Sequence, residues 1–342
     1  MRAAVFHEPG GPDVLRIEEV DAPVPGPGEA LVRVRAVALN HLDLWLRRSL
    51  IVETPMPHIG GSDVAGEVVE LGPEVTVPGI EVGTRVVVDP SLACGRCEWC
   101  GRGERSLCVE YRILGEHTQG GFAEYVVVPA ENLMPVPAGF DIVRAAAAPL
   151  VYCTAWRGLI TRAGVRPGER VLITGASGGV GTAAIQVARL AGAQVFAVTT
   201  TEHIERALEL GAHVAIDRNV EDFSRRVWQE TGKRGVDVVF DSVGAAVWAA
   251  NLRSLARGGR LVTYGATTGH AAESDLRLIF WKQLQVIGTT MSNRAEFRDV
   301  MRLVFAGELH PVVDVVWPLE RIAEAHERLE RGEQFGKIVL TP

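Results

Sequence analysis

The sequence predicts an α/β protein in two parts, a doubly wound parallel sheet and a β-barrel-like domain, and three observations carry that prediction. Residues 171–181, Val-Leu-Ile-Thr-Gly-Ala-Ser-Gly-Gly-Val-Gly, join a short apolar strand to a helix through a glycine turn. From that turn to residue 290, strand-like and helix-like stretches alternate, as they do in a parallel sheet with crossover helices. Before residue 150 the chain carries short β-rich segments punctuated by Pro/Gly turns instead. A length of 342 residues is that of two domains.

Composition limits the partners. With 47% hydrophobic and 23% charged residues the chain has ample material for a core. The net charge is −7 and basic residues are interspersed with acids, so no stretch reads as a nucleic-acid or anionic-membrane patch. A small-molecule substrate is expected. The longest apolar run, Ala145 to Trp156, is too short to cross a bilayer and contains Pro149. The opening residues lack the apolar core of a signal peptide, so a cytoplasmic location is expected.

In the first part, strands are predicted at Ala3–Phe6, Leu15–Glu19, Ala30–Ala38, Gly66–Leu71 and Arg85–Asp89. Cys94, Cys97, Cys100 and Cys108 follow with the spacing C-x2-C-x2-C-x7-C, four of the chain's five cysteines. A reducing compartment disfavours disulfides, and four thiolates at this spacing form a cage for one structural zinc. A ferredoxin-type iron–sulfur run would need a three-residue gap and a following proline at the fourth cysteine; here the gap is seven and Val109 follows. A zinc with four protein thiolates has no open position, so it braces a loop and does not catalyse.

In the second part, the turn after Val171–Thr174 leads into a helix with Val180, Ala184, Val187 and Leu190 at helical spacing and Gly192 at its end. Such a turn brings a pyrophosphate onto free helix-terminal N–H groups, which assigns Ser177, Gly178, Gly179, Val180 and Gly181 to cofactor binding. The G-x-G-x-x-G fingerprint is departed from at its first glycine, which is Ala176. Further strands at Gln194–Val198, His213–Ile216, Val236–Phe240, Arg260–Tyr264 and Leu284–Gly288 bring the sheet to six. The second ends in Thr199, Thr200 and Thr201, where an acid would grip the ribose 2′-OH of NAD. Three neutral hydroxyls leave room for a 2′-phosphate, so NADP is expected ahead of NAD. Ser242 and Val243 follow the fourth strand, and Tyr264, Gly265 and Ala266 the fifth, at the carboxyl edge where ligands bind such sheets. Helices at Arg294–Gly307 and Leu319–Leu329 and a strand at Lys337–Leu340 complete the reading.

The four-cysteine lobe, the stretch Gly120-Gly-Phe-Ala-Glu-Tyr-Val-Val-Val-Pro129, the glycine turn and Phe335-Gly-Lys-Ile-Val339 together resemble the medium-chain dehydrogenase/reductase family almost end to end. The resemblance implies a GroES-like β-barrel domain made from both ends of the chain, 1–152 and 291–342, with a Rossmann domain, 153–290, inserted between them. It implies an NAD(P)-dependent oxidoreductase, with the loops at 242–243 and 264–266 and Thr154 at the nicotinamide; Lys337, one of three lysines, either reaches the cofactor phosphates or is an exposed charge. It also implies a homo-oligomer, dimer or tetramer, in which the edge strand near 284–290 pairs between subunits.

Zinc-dependent alcohol dehydrogenases of this family hold a second, catalytic zinc with Cys, His and Cys. Those positions correspond here to Asn40, Ser62 and about Leu150, none a good zinc ligand. An alternative cage from His41, His58, Asp63 and Cys153 is conceivable. The stretch Asn40-x-x-Asp43 instead resembles the quinone oxidoreductase branch, where catalysis is metal-free. Hydrogen-bond donors such as the Asn40 amide or the Thr154 hydroxyl then stabilise the substrate oxygen, and Asp43 orients Asn40 or relays a proton. Equally, Asn40 and Asp43 serve as helix-cap and turn residues. Trp45 stands near where enoyl reductases place a tyrosine proton donor, which points away from thioesters. The expectation is an NAD(P)H oxidoreductase acting on a small activated carbonyl, enone or quinone without a catalytic metal. The alternatives are a zinc alcohol dehydrogenase with unusual ligands and a dinucleotide-sensing protein without turnover.

Overall fold

The computed structural model describes residues 1–49, 54 and 56–342. It divides into two compact units, one formed by Met1–Leu150 with Ser292–Pro342 and the other by Val151–Met291.

The chain opens with the antiparallel pair β1 (Arg2–Val5) and β2 (Arg16–Glu19). It continues through β3 (Glu29–Ala38), α1 (His41–Arg47), β4 (Asp63–Leu71) and β5 (Arg85–Val88). β6 (Ser91–Leu92) and β7 (Arg112–Ile113) pair at the root of the cysteine lobe, whose one helical turn is α2 (Glu98–Gly101). Next come β8 (Tyr125–Pro129), β9 (Leu133–Pro135), α3 (Ile142–Ala146) and α4 (Pro149–Trp156).

In the second unit β10 (Arg170–Ile173), β11 (Gln194–Thr199), β12 (Val214–Asp217), β13 (Val236–Asp241), β14 (Leu255–Thr263) and β15 (Gln285–Gly288) alternate with α5 (Gly179–Leu190), α6 (Ile204–Glu209), α7 (Phe223–Glu230), α8 (Trp248–Ser254) and α9 (Leu276–Lys282). The chain then returns to the first unit with α10 (Arg294–Phe305), β16 (Val313–Pro318), α11 (Ile322–Arg331) and β17 (Lys337–Thr341).

The first unit is built on a seven-stranded sheet in the order β16-β17-β3-β4-β5-β9, with β8 also paired to β3. Its core gathers Val32, Val34, Val37, Val64, Val68, Val86 and Phe122 with Ile338 and Leu340 from β17. β-branched residues along these strands fill a pleated, buried surface well. The pairing Val339↔Ala38 sets the tail against β3, and Ala38↔Asp63 sets β3 against β4. Three strand ends therefore meet at residues 38–40, 63 and 337.

The second unit is a parallel sheet in the order β12-β11-β10-β13-β14-β15, the doubly wound arrangement the alternation predicts. Its strand order reverses between β10 and β13, the crevice where such sheets hold ligands. β14 begins at Leu255, five residues before the predicted strand, with a register irregularity opposite Val236 and Val238. Gly258, with a φ of +73°, supplies the backbone freedom. α1 and β16 were not legible as elements: α1 has seven residues, too few to show a helical period. Among the described residues no helix is long and apolar enough to cross a membrane.

Candidate functional site

In the second unit the predicted cofactor residues converge on one edge. Gly178 is the N-cap of α5, and Ser177 through Val180 are half-buried, leaving the first-turn N–H groups facing outward. A side chain on Gly181 would put its Cβ 2.3 Å from the Gly175 carbonyl oxygen, so helix and turn touch there and only glycine fits. Gly175 takes the left-handed φ of +62°. Ala176 is fully buried and donates its N–H to Val198 O at 3.0 Å. The departure from the fingerprint thus faces the core, not the ligand.

Asp241 holds the adjacent loop. Its carboxylate accepts from the Thr174 hydroxyl, from Val243 N–H at 3.2 Å and from Gly244 N–H at 3.0 Å. Thr267 N–H and Thr268 N–H donate to the carbonyls of Ser242 and Val243 at 3.0 and 2.9 Å. The loops at 242–244 and 264–268 are therefore stitched together beside the glycine turn. The chemistry of this donor set fits a dinucleotide pyrophosphate. Thr199 is buried, and Thr201 is exposed with its hydroxyl donating to Asp217 Oδ2 at 2.6 Å. Asp217 pairs with Thr199 across β11 and β12, an acid at this edge that sequence reading passed over. Thr154, on α4, is buried, and among the described residues its hydroxyl's partner is the distant Met291 sulfur at 4.0 Å.

In the first unit a buried polar cluster forms where the three strand ends meet. Asn40 is the N-cap of α1 and forms a capping box with Asp43, the helix-cap role weighed from the sequence, while its amide also bonds elsewhere. The amide nitrogen donates to Asp63 Oδ2 at 3.0 Å and to Ala38 O at 3.4 Å. Lys337 Nζ donates to Asn40 Oδ1 and, at 2.8 Å, to Asp63 Oδ2. The other Asp63 oxygen accepts Leu150 N–H at 2.8 Å. Asp43 takes the helix-end role: its carboxylate accepts Asn40 N–H at 2.7 Å and Gly61 N–H at 3.3 Å. Asn40, Asp43, Asp63 and Lys337 are all at most 6% exposed, so the one ammonium is indispensable to the charge balance.

Two expectations are corrected here. Lys337 does not present its ammonium outward for cofactor phosphates; the pairing of β17 with β3 buries it against Asn40 and Asp63. The Asn40 amide is not a free oxyanion donor, because Asp63 and the Ala38 carbonyl take up its N–H groups. Burial pushes the Asp43 carboxyl up to about 7, against the pull of the Asn40 N–H and of Lys337. Glu116, which sequence reading did not single out, is also buried and raised to about 7, by desolvation first and by Asp43 second. Nothing in its local sequence distinguishes it from a surface acid.

The positions matching the family's catalytic zinc ligands thus hold the Asn40 amide wired to Asp63, the buried Ser62 hydroxyl, and Leu150, which contributes its N–H. His58 Nε2 lies 3.0 Å from Gly115 O, and burial lowers its pKa. Asp63 is taken up by Lys337, Asn40 and Leu150. Among the described residues the one group of His, Cys, Asp or Glu close enough to share a metal is Cys94, Cys97, Cys100 and Cys108. The alternative cage from His41, His58, Asp63 and Cys153 therefore has no counterpart.

The four sulfurs lie within 4.8 Å of one another, the closest pairs being Cys94–Cys108 at 3.5 Å and Cys97–Cys100 at 3.6 Å. Zn–S bonds of about 2.3 Å in a tetrahedron require sulfur separations of about 3.8 Å. Cys94 N–H and Glu110 N–H both donate to Cys108 Sγ at 3.3 Å. N–H groups of Cys100 and Val109 bring Cys97 down to about 6. The donor set fits zinc.

Comparison with known proteins agrees with this geometry. The family described as "Alcohol dehydrogenase GroES-like domain" matches residues 26–138, and "Zinc-binding dehydrogenase" matches residues 179–306. A solved structure named NAD-dependent alcohol dehydrogenase is 42% identical, covers 100% of both chains and superposes with a TM-score of 0.96. An acryloyl-coenzyme A reductase of Sulfurisphaera tokodaii is 33% identical over 100% of both chains. A quinone oxidoreductase of Homo sapiens is 29% identical over 99% of this chain and 97% of its own.

Proposed function

The chain belongs to the medium-chain dehydrogenase/reductase family and is an NAD(P)-dependent oxidoreductase of carbonyl or enone substrates; from that premise we propose that it reduces a conjugated carbonyl with no metal at the reacting oxygen. One observation carries the reading. Asn40, Ser62 and Leu150 stand at the positions of the family's zinc ligands, and Asn40 is hydrogen-bonded there to the buried Asp63–Lys337 ion pair.

The nicotinamide supplies hydride when bound. The buried Thr154 hydroxyl donates to the substrate oxygen as negative charge gathers there. Hydrogen bonding is weaker help than a metal's, so the substrate must spread its own charge, as an enone, quinone or enoyl thioester does. The thioester, disfavoured by Trp45, is restored by the relative named acryloyl-coenzyme A reductase. Asp43, held near neutral pH by burial, is the group that stores a proton for the product. The single zinc braces the lobe at 94–108.

The uncharged Thr199–Thr201 stretch, with no acid in the chain position that grips the ribose 2′-OH, favours NADPH. A specific observation favours NADH: the Asp217 carboxylate accepts the Thr201 hydroxyl, so the edge carries a negative charge that disfavours a 2′-phosphate. The ratio of kcat/KM for the two nucleotides, in the wild type and in Asp217→Asn, decides between them.

The test is nucleotide oxidation against a panel of enones, quinones and enoyl thioesters, with metal content measured on the same sample. Turnover with about one zinc per chain supports the reading. Two zincs per chain, or activity confined to simple alcohols, overturns it. Nucleotide binding without reduction of any acceptor would favour the sensing protein.

A further inference from the structure

Behind Asp43 the first unit holds polar atoms that the reaction as described does not use. Arg47, at the end of α1, is fully buried. One arm of its guanidinium donates to Glu330, while Nε and Nη1 are buried without a hydrogen-bond partner among the described residues. His326, on α11, is 1% exposed, and both its ring nitrogens are likewise buried without a partner. Buried N–H groups and ring nitrogens in folded proteins almost always find partners, and ordered water supplies the missing ones.

Arg47, His326 and Asp43 line one small cavity, walled by Phe6, Leu46 and Phe122. The centre of a water-sized sphere can range over about 10 Å³ within it, which is room for one water and no more.

We propose that this cavity is a binding site for one resident water shared by Asp43, Arg47 and His326, and that Arg47 and His326 are positioning residues for Asp43. The hydrogen-bond chemistry closes. The water accepts from Arg47 N–H groups and donates one hydrogen to the neutral His326 ring and the other to the Asp43 carboxylate. His326 is able to accept because burial, and then the Arg47 charge, bring it down to about 3, so it stays neutral near pH 7. Arg47, always charged, thereby acts on Asp43 through a single bridging molecule. The groups facing Asp43 and its bridge are then Lys337 and Asp63 on the cluster side, Glu116, and Arg47 and His326 on the water side, with Glu330, Arg48 and Asp13 beyond.

The inference rests on Asp43 belonging to the reactive site, but its test needs no substrate. In a high-resolution crystal structure of the wild type, one ordered water is expected within hydrogen-bond distance of Arg47, His326 and Asp43. The carboxyl carbon of Asp43, assigned by ¹³C NMR against Asp43→Asn, reports its titration. Arg47→Met is expected to raise that titration by about one pH unit, since an opposite charge has been removed. Arg47→Lys keeps it near the wild-type value. Should Arg47→Met not fold, His326→Leu serves: the water is lost and the midpoint moves. A dry cavity in the wild type overturns the proposal, as does an Asp43 midpoint unmoved in folded Arg47→Met or His326→Leu. Failure of the reductase assay with the water present would count against the proposed reaction alone.

Discussion

Replacing Lys337 by methionine leaves Asp63 buried with no cation, and the resulting loss should be about 3–5 kcal/mol, read as a lower denaturation midpoint. Lys337→Met combined with Asp63→Asn removes both charges together and should recover much of it; a double variant no more stable than the single one counts against the ion pair. Thr154→Val removes the hydroxyl proposed to donate to the substrate oxygen, so kcat should fall on the order of 10²-fold, a larger effect than on nucleotide affinity, both read from steady-state kinetics and nucleotide titration. Asp43 and Glu116 also set a pH dependence of stability. Asp43 titrates near 3.8 when unfolded and about 7 when folded, and Glu116 near 4.5 and about 7. Between those values the folded chain holds more protons than the unfolded one. Stability is therefore greatest on the acid side and declines as pH rises towards 7. Denaturant titrations across that window should show a shallower decline in Asp43→Asn.

At the scale of elements, two short segments were legible because their chemistry is local. Cys94 to Cys108 declares a metal cage by spacing alone, and Gly175 to Gly181 declares a strand–helix turn. A strong chelator should strip the zinc and lower the thermal midpoint without detaching the nucleotide; Cys97→Ser should do the same. Gly181→Ala sets a Cβ against the Gly175 carbonyl and should weaken nucleotide binding at least tenfold by titration, on the scale of a lost first-turn contact, about 1.4 kcal/mol. The polar cluster was not legible in the same way. Asp63 and Lys337 are 274 residues apart, and no periodicity links them. Their pairing follows only once β17 is known to lie on β3. His326 reads from sequence as an ordinary polar residue of the helix at 319–329, and nothing in the sequence singles out Arg47. Asn40 and Asp43 were singled out together, but their division of labour depends on side-chain rotamers that spacing does not encode.

For the whole molecule, β15 is an edge of the second unit's sheet, with no further strand beside it among the described residues. Val286 on that strand and Leu276, Phe280 and Trp281 on the helix before it are all exposed. Open strand edges with apolar neighbours pair readily, so self-association through β15 is expected, giving a homo-oligomer. Light scattering on the wild type should report a dimer or larger, and Val286→Lys with Trp281→Glu should shift it towards monomer while leaving nucleotide binding intact. The wide spacing of the Asn40–Lys337 contact, 297 residues, also governs how the protein is born. Translation at about 5–20 residues per second keeps Asn40 and Asp63 waiting on the order of 15–60 s for their cation. The nucleotide-binding unit, contiguous in the gene, emerges whole in the interval, so the half that carries Asp63 matures last although its first strands are made first.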